Sequence, residues 1–155
     1  MLLINRGEIV QAVVNLIRKE IQEFQIVRPY QGEIDRYEKR GQIKSATFPA
    51  EVSLTTPFAL VISKDRKPLE ESKNRTMKLE HLLSIYVGVS NTHEFQSTKI
   101  PDAFWFLGRC VDVLNEQVLH TKAAGLKLVS DGEYLITTDL FTVYDQKWVI
   151  PEIGK

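Results

Sequence analysis

Between Leu79 and Val89 the chain alternates, with Leu79, His81, Leu83, Ile85, Val87 and Val89 on one side and Glu80, Leu82, Ser84, Tyr86 and Gly88 on the other. A period of two predicts a strand, and its one face is apolar apart from His81, so it must be covered. Residues 101–118 follow, with Phe104, Leu107, Val111, Leu114 and Val118 spaced three and four apart. That spacing predicts a helix whose apolar stripe lies on the sheet face.

The N-terminal segment predicts a second amphipathic helix. Asn5 is a good N-cap with Glu8 three residues on, as in a capping box, and Ile4 and Ile9 occupy the positions of a hydrophobic staple. At 100° per residue, Ile9, Val10, Val13, Val14, Leu16, Ile17, Ile21 and Phe24 gather on one side, and the helix is expected to run to Glu23. Gln25 to Arg28 is a short β-prone stretch ended by Pro29, which cannot donate to a ladder. Tyr30-Gln-Gly-Glu33 reads as a turn and residues 36–46 as a loop. Alternation returns over Phe48, Ala50, Val52 and Leu54, and Phe58 to Ile62 makes a further strand. Lys64 to Lys78 reads as a second loop and Asn91 to Lys99 as a polar connector. Pro101 and Asp102 suit a helix start, and Gly125 a stop. Asp131-Gly132 between Lys127–Ser130 and Glu133–Tyr144 is the strongest hairpin signal, and Lys147 to Ile150 adds a last strand. Helix, strands, helix, hairpin predicts a single α+β domain, residues 1–155: a mainly antiparallel sheet with two helices packed on one face.

Composition narrows the function classes. The chain has 155 residues, 43% of them hydrophobic, which is enough for one core. Its formal net charge is zero, so no global field draws it to nucleic acid or to an anionic membrane. No apolar run approaches the roughly 18 residues of a membrane span. Met1 to Ile4 is too short for a secretory leader, so a cytoplasmic protein that does not engage a membrane is expected. The single cysteine, Cys110, allows no intramolecular disulfide and falls inside the second helix.

Motifs for catalysis are sparse. His81, His93 and His120 share no ligand spacing, no glycine-rich phosphate motif is present, and no metal or cofactor is expected. Glu33, Asp35 and Glu38 lie among Arg36, Lys39 and Arg40 and read as a solvated mixed-charge surface rather than an acid–base pair. An enzyme is not expected. Two features exceed a bland reading. Trp105, Arg109, Asp112 and Glu116, spaced four, three and four, share the polar side of the second helix, where tryptophan and arginine suit a protein contact. Both loops are basic: Arg36, Lys39, Arg40 and Lys44 stand against Glu38, and Lys64, Arg66, Lys67, Lys73, Arg75 and Lys78 against Asp65, Glu70 and Glu71. Such loops on an acidic body can dock a neighbouring copy or face an anionic lumen.

The amphipathic N-terminal helix leading into Val27-Arg-Pro-Tyr-Gln-Gly-Glu33, the loop to Phe48-Pro-Ala50, the strand Ile85-Tyr-Val-Gly-Val89 and the long helix before a C-terminal hairpin resemble the tail terminator, or tail completion, family of Mu-like and other long-tailed phages. The likeness spans about Glu8 to Val149. It implies a homo-oligomeric ring, commonly a hexamer, that caps the tail tube, ends its growth and offers a surface to neck proteins and, in a contractile tail, to the sheath. DNA would pass through the lumen without sequence-specific binding. The implied place is the virion tail, assembled in the bacterial host cytoplasm. The family has no catalytic signature to carry over. A neck or baseplate adaptor of a tail or contractile injection system is the alternative within the same machine, and a small enzyme the alternative outside it.

Overall fold

The structure is a computed structural model that describes residues 4–35, 54–71, 77–90, 102–138 and 140–153. The expected loop at 36–46, nearly all of the strand at 48–54 and the connector at 91–99 lie outside the described residues, as do Arg36, Lys39, Arg40, Lys44, Lys73, Arg75 and His93.

Helix α1 spans Arg6–Glu20 and begins where the caps predict. The Asn5 side chain accepts from the Gly7 amide at 2.8 Å. Glu8 does not close the capping box: its carboxylate lies 3.9 Å from His120 Nε2. Ile9, Val10, Val13, Val14 and Ile17 are buried, and Ile4 and Ile21 join the same core. The helix ends three residues before Glu23, with the Ile21 amide still bonded to Ile17 O.

Five strands form one mixed sheet: β1 (Ile26–Pro29), β2 (Phe58–Glu71), β3 (Met77–Ser90), β4 (Lys127–Thr137) and β5 (Phe141–Pro151), in the order β1-β2-β3-β5-β4. β1 runs parallel to β2, and the other three pairs are antiparallel. The architecture is α+β. The period-two strand around Leu83 is β3, and it lies at the centre.

Helix α2 spans Ala103–Leu114, capped by the Asp102 carboxylate accepting from the Trp105 amide. It and α1 pack on one sheet face, in a core with Ala59, Val61, Leu83, Ile85, Val87, Trp148 and Ile150. The opposite face is covered too, by side chains rather than by a helix of this pair. Phe58, Leu60, Tyr86, Phe141 and Val143 build a second core there with Ile34 and Leu54. Gly88 on β3 lets the two meet: its register partner Phe58 lays its ring where a Cβ would stand, with ring carbons at 2.0–2.6 Å.

Three local expectations fail, each because tertiary contacts outbid a local signal. The stretch from Lys64 to Lys78 is not a loop: residues 64–71 and 77–78 extend β2 and β3, with Arg66 opposite His81 and Lys67 opposite Glu80. Lysine and glutamate disfavour strands locally, but the antiparallel ladder between the two strands overrides propensity. Asp131-Gly132 is not the hairpin turn. It is a bulge inside β4, and the chain reverses only between β4 and β5, where Thr138 Oγ1 accepts from the amides of Leu140 and Phe141. The bulge serves α2. Gly132 brings its backbone against Leu107, with a Cβ position 2.7 Å from Leu107 Cδ1, and Gln146 donates to both Leu107 O and Asp131 O. The third failure is Gly125, which does not stop a helix. α2 ends eleven residues earlier, and Gly125 admits the backbone of Glu116, where a Cβ would lie 2.7 Å from Glu116 O.

Candidate functional site

α2 supplies most of the predicted contact residues, and its burial differs from the expected stripe. Ala103, Phe106, Leu107, Cys110, Val113 and Leu114 are buried, whereas Phe104 is 68% exposed and Val118 62%. The helix turns this way because it must serve two neighbours, the sheet and α1. Phe106 stacks on Phe24 at 4.4 Å between ring centroids. The sequence carried a usable signal here: five consecutive apolar residues, Ala103 to Leu107, wrap more of a helix than one face can bury.

Of the predicted group, Trp105, Arg109 and Asp112 do share one side of α2, and Glu116 does not. Trp105 is 38% exposed and meets Phe106 edge-on at 5.0 Å. Asp112 is open to solvent, 4.0 Å from Arg109 Nη1. Arg109 points back into the fold, donating from Nη2 to Glu20 O at 3.2 Å and so satisfying a carbonyl at the end of α1. Glu116 lies beyond the helix with φ of 64°, its amide bonded to Leu126 O.

Around the first turn of α2 the structure assembles an aromatic surface that the sequence reading missed. Phe104 lies 5.8 Å from the Tyr144 ring, and Tyr144 lies 6.4 Å from Tyr134, its register partner on β4. Tyr134 is 63% exposed, and Leu128, Val129 and Leu135 of the same strand are exposed as well. β4 is an edge strand, and three register shifts along it break up the regular row of amides and carbonyls that invites sheet extension. The other edge is blunted differently. β1 is four residues long, ends in Pro29, and has Val27 O occupied by Arg18 Nε at 2.7 Å. Any partner of this surface therefore meets side chains first.

The basic residues of the second loop are also redistributed. Arg66 is half-buried, with Nη2 donating to Ile4 O, so it ties β2 to the entry of α1 and is not a free surface charge. Lys67 is exposed, and Lys64 Nζ lies 5.1 Å from the centroid of the Tyr86 ring.

Chemically, the tightest constellation is His81 with Glu152, Nε2 to Oε1 at 2.6 Å. The sequence did not foretell the pair, because Glu152 lies 71 residues from His81 and the neighbouring Glu80 is not its partner. His81 is 0% exposed, and burial holds its imidazole below the usual value of 6.5. Glu152 opposes that shift, while Arg66 and Arg6 reinforce it. A neutral imidazole donating to the carboxylate fits this environment.

Glu33, read as solvated, is buried and accepts from Arg28 Nε at 3.1 Å and from the Gln31 amide. With Gly32 at φ of 85°, these bonds close the Tyr30–Glu33 turn. Burial raises the Tyr30 hydroxyl to about 12. Cys110 is 0% exposed, and burial likewise raises its thiol to about 12, against a small opposing effect of Arg109. Among the described residues no group of three His, Cys, Asp or Glu is placed to hold a metal ion, and no helix is long and apolar enough to cross a membrane. No protein-family model and no curated protein matches the chain.

Proposed function

We propose that the protein is a structural subunit of a phage tail, a tail terminator that joins further copies of itself in a ring on the end of the tube. The ring, a hexamer in this reading, halts tube growth and presents a surface to neck proteins and, where present, to the sheath. The observation that supports it best is the aromatic surface of Phe104, Tyr134 and Tyr144 beside half-exposed Trp105. Phe104 and Tyr134, which keep about two-thirds of their area in water, are costly for a monomer and suit the desolvated centre of a protein contact. The resemblance of residues 27–33 and 85–89 to the tail terminator family supplies the partner. Lys67, which is exposed, and the lysines and arginines that the sequence carries at 36–46 and 72–76 suit the lumen or a neighbouring copy on charge alone.

The deciding experiment is electron microscopy of particles made without the protein. Overlong tubes are expected, because only loss of a terminator releases length control, and tubes of normal length would refute the reading. Within that test, Phe104→Ala with Trp105→Ala is expected to leave the circular dichroism spectrum unchanged and to abolish association with the tube. Wild-type association by the double variant would remove the surface from the proposal.

A further inference from the structure

We propose that the buried His81–Glu152 contact is an acid-released latch that fastens the segment after β5, and with it the 115–126 connection, to the body of the sheet. The segment is a short strap. Glu152 N donates to Leu79 O, Ile153 N to Lys122 O, and Ala124 N to Pro151 O, each at 2.8 Å. Its side of the molecule covers Ala123 and Leu126, which are 1% and 0% exposed. Among the described residues three backbone bonds hold the strap, and one side-chain bond, Glu152 to His81, reaches from it into the core.

What makes that bond sensitive to protons is the surroundings of the other ring nitrogen. His81 Nδ1 is buried with no hydrogen-bond partner, and so is Arg66 Nε on the opposing strand. A proton arriving at Nδ1 would therefore find no acceptor. Facing His81 are Arg66 from β2, Arg6 from the first turn of α1, itself bonded to Ser63 Oγ and O, and Glu152 from the strap. Its register partner on β5, Ile150, is apolar. Closed, the latch excludes the second proton. Open, His81 meets water and takes the proton at its ordinary value near 6.5. Linkage then fixes the direction: below that pH the open form binds one proton more than the closed form, so acid favours opening. The other histidine among the described residues, His120, lies on the 115–126 connection, with Nδ1 accepting from the Lys122 amide at 3.0 Å and Nε2 3.9 Å from Glu8, and serves as the control.

Amide hydrogen exchange on the full chain reads the strap directly, with rates corrected for the intrinsic effect of pH. At every pH the amides of Glu152, Ile153 and Ala124 should be less protected than those of Val13 and Val14 in α1, because the strap opens without global unfolding. Between pH 7.5 and 5.5 their protection should fall about tenfold, one proton's worth over the unit below 6.5. His81→Gln should flatten that fall, and His120→Asn should keep it. Arg66→Gln, which removes a charge that holds the proton off, should shrink it. Glu152→Gln should lower protection several-fold already at pH 7.5, since a charge-assisted bond is replaced by a neutral one. Strap amides as protected as those of α1, a fall under twofold in the wild type, or an undiminished fall in His81→Gln would each overturn the latch.

Discussion

Alanine at position 88 adds one methyl group to the strand at the centre of the sheet, and the structure says where it lands. The new Cβ would lie 2.0, 2.3 and 2.6 Å from Cζ, Cε2 and Cε1 of Phe58. Carbon atoms rest at about 3.5–4.0 Å, so the ring must retreat by about 1.5 Å. It has little room, since Phe58 is 0% exposed and its ring stands edge-on against Phe141 at 5.2 Å. Overpacking of this kind costs about 1–3 kcal/mol. The lost freedom of glycine in the unfolded chain returns only about 0.4–1 kcal/mol. The net loss is about 1–2 kcal/mol, and at about 2–4 °C per kcal/mol for a chain of this size, Tm should drop by about 2–8 °C. Scanning calorimetry of Gly88→Ala, Phe58→Leu and the pair checks it. The double variant should lose less than the sum of the singles, because a smaller side chain no longer fills the methyl's place. Gly88→Ala at the wild-type Tm, or strict additivity of the two changes, would refute the argument.

Three further outcomes follow from the same geometry. Gln146→Leu removes the acceptor of Trp148 Nε1, now at 2.9 Å, and the donor to Leu107 O and Asp131 O, and is expected to cost about 1–3 kcal/mol in urea unfolding; a loss under 0.5 kcal/mol on that scale would show that the bridge contributes little. Cys110 should resist iodoacetamide in the native protein at pH 8, because a buried thiol raised to about 12 carries almost no thiolate, and mass spectrometry showing rapid alkylation of folded protein would contradict its burial. Global stability should also fall on acidification: the folded imidazole of His81 lies below its unfolded value of 6.5, so the unfolded chain binds the extra proton first and stability drops as pH falls from 6.5 toward the folded value. A pH series of urea midpoints that is identical in wild type and His81→Gln would contradict that linkage.

Helix α1, its Asn5 cap, the central strand and the Asp102 start of α2 were legible in the sequence, because each is set by neighbours three or four residues away or by strict alternation. Misreadings share one cause. An Asp-Gly pair states that the backbone bends, not whether the bend reverses the chain, and only the packing of Leu107 against Gly132 made it a bulge. Five apolar residues at the start of α2 state that some must be exposed, and only the stacking of Phe106 on Phe24 decided that Phe104 would be.

Local pattern alone thus determined α1, the centre of β3 and the start of α2, and that a layered α+β arrangement results, since periodicity and capping act over a single turn or pleat. The tertiary structure alone decided the parallel pairing of β1, the second core under Tyr86 and Phe58, the aromatic surface, and the meeting of His81 with Glu152. Each of those joins residues from distant parts of the chain, and no short-range rule carries information across such a separation.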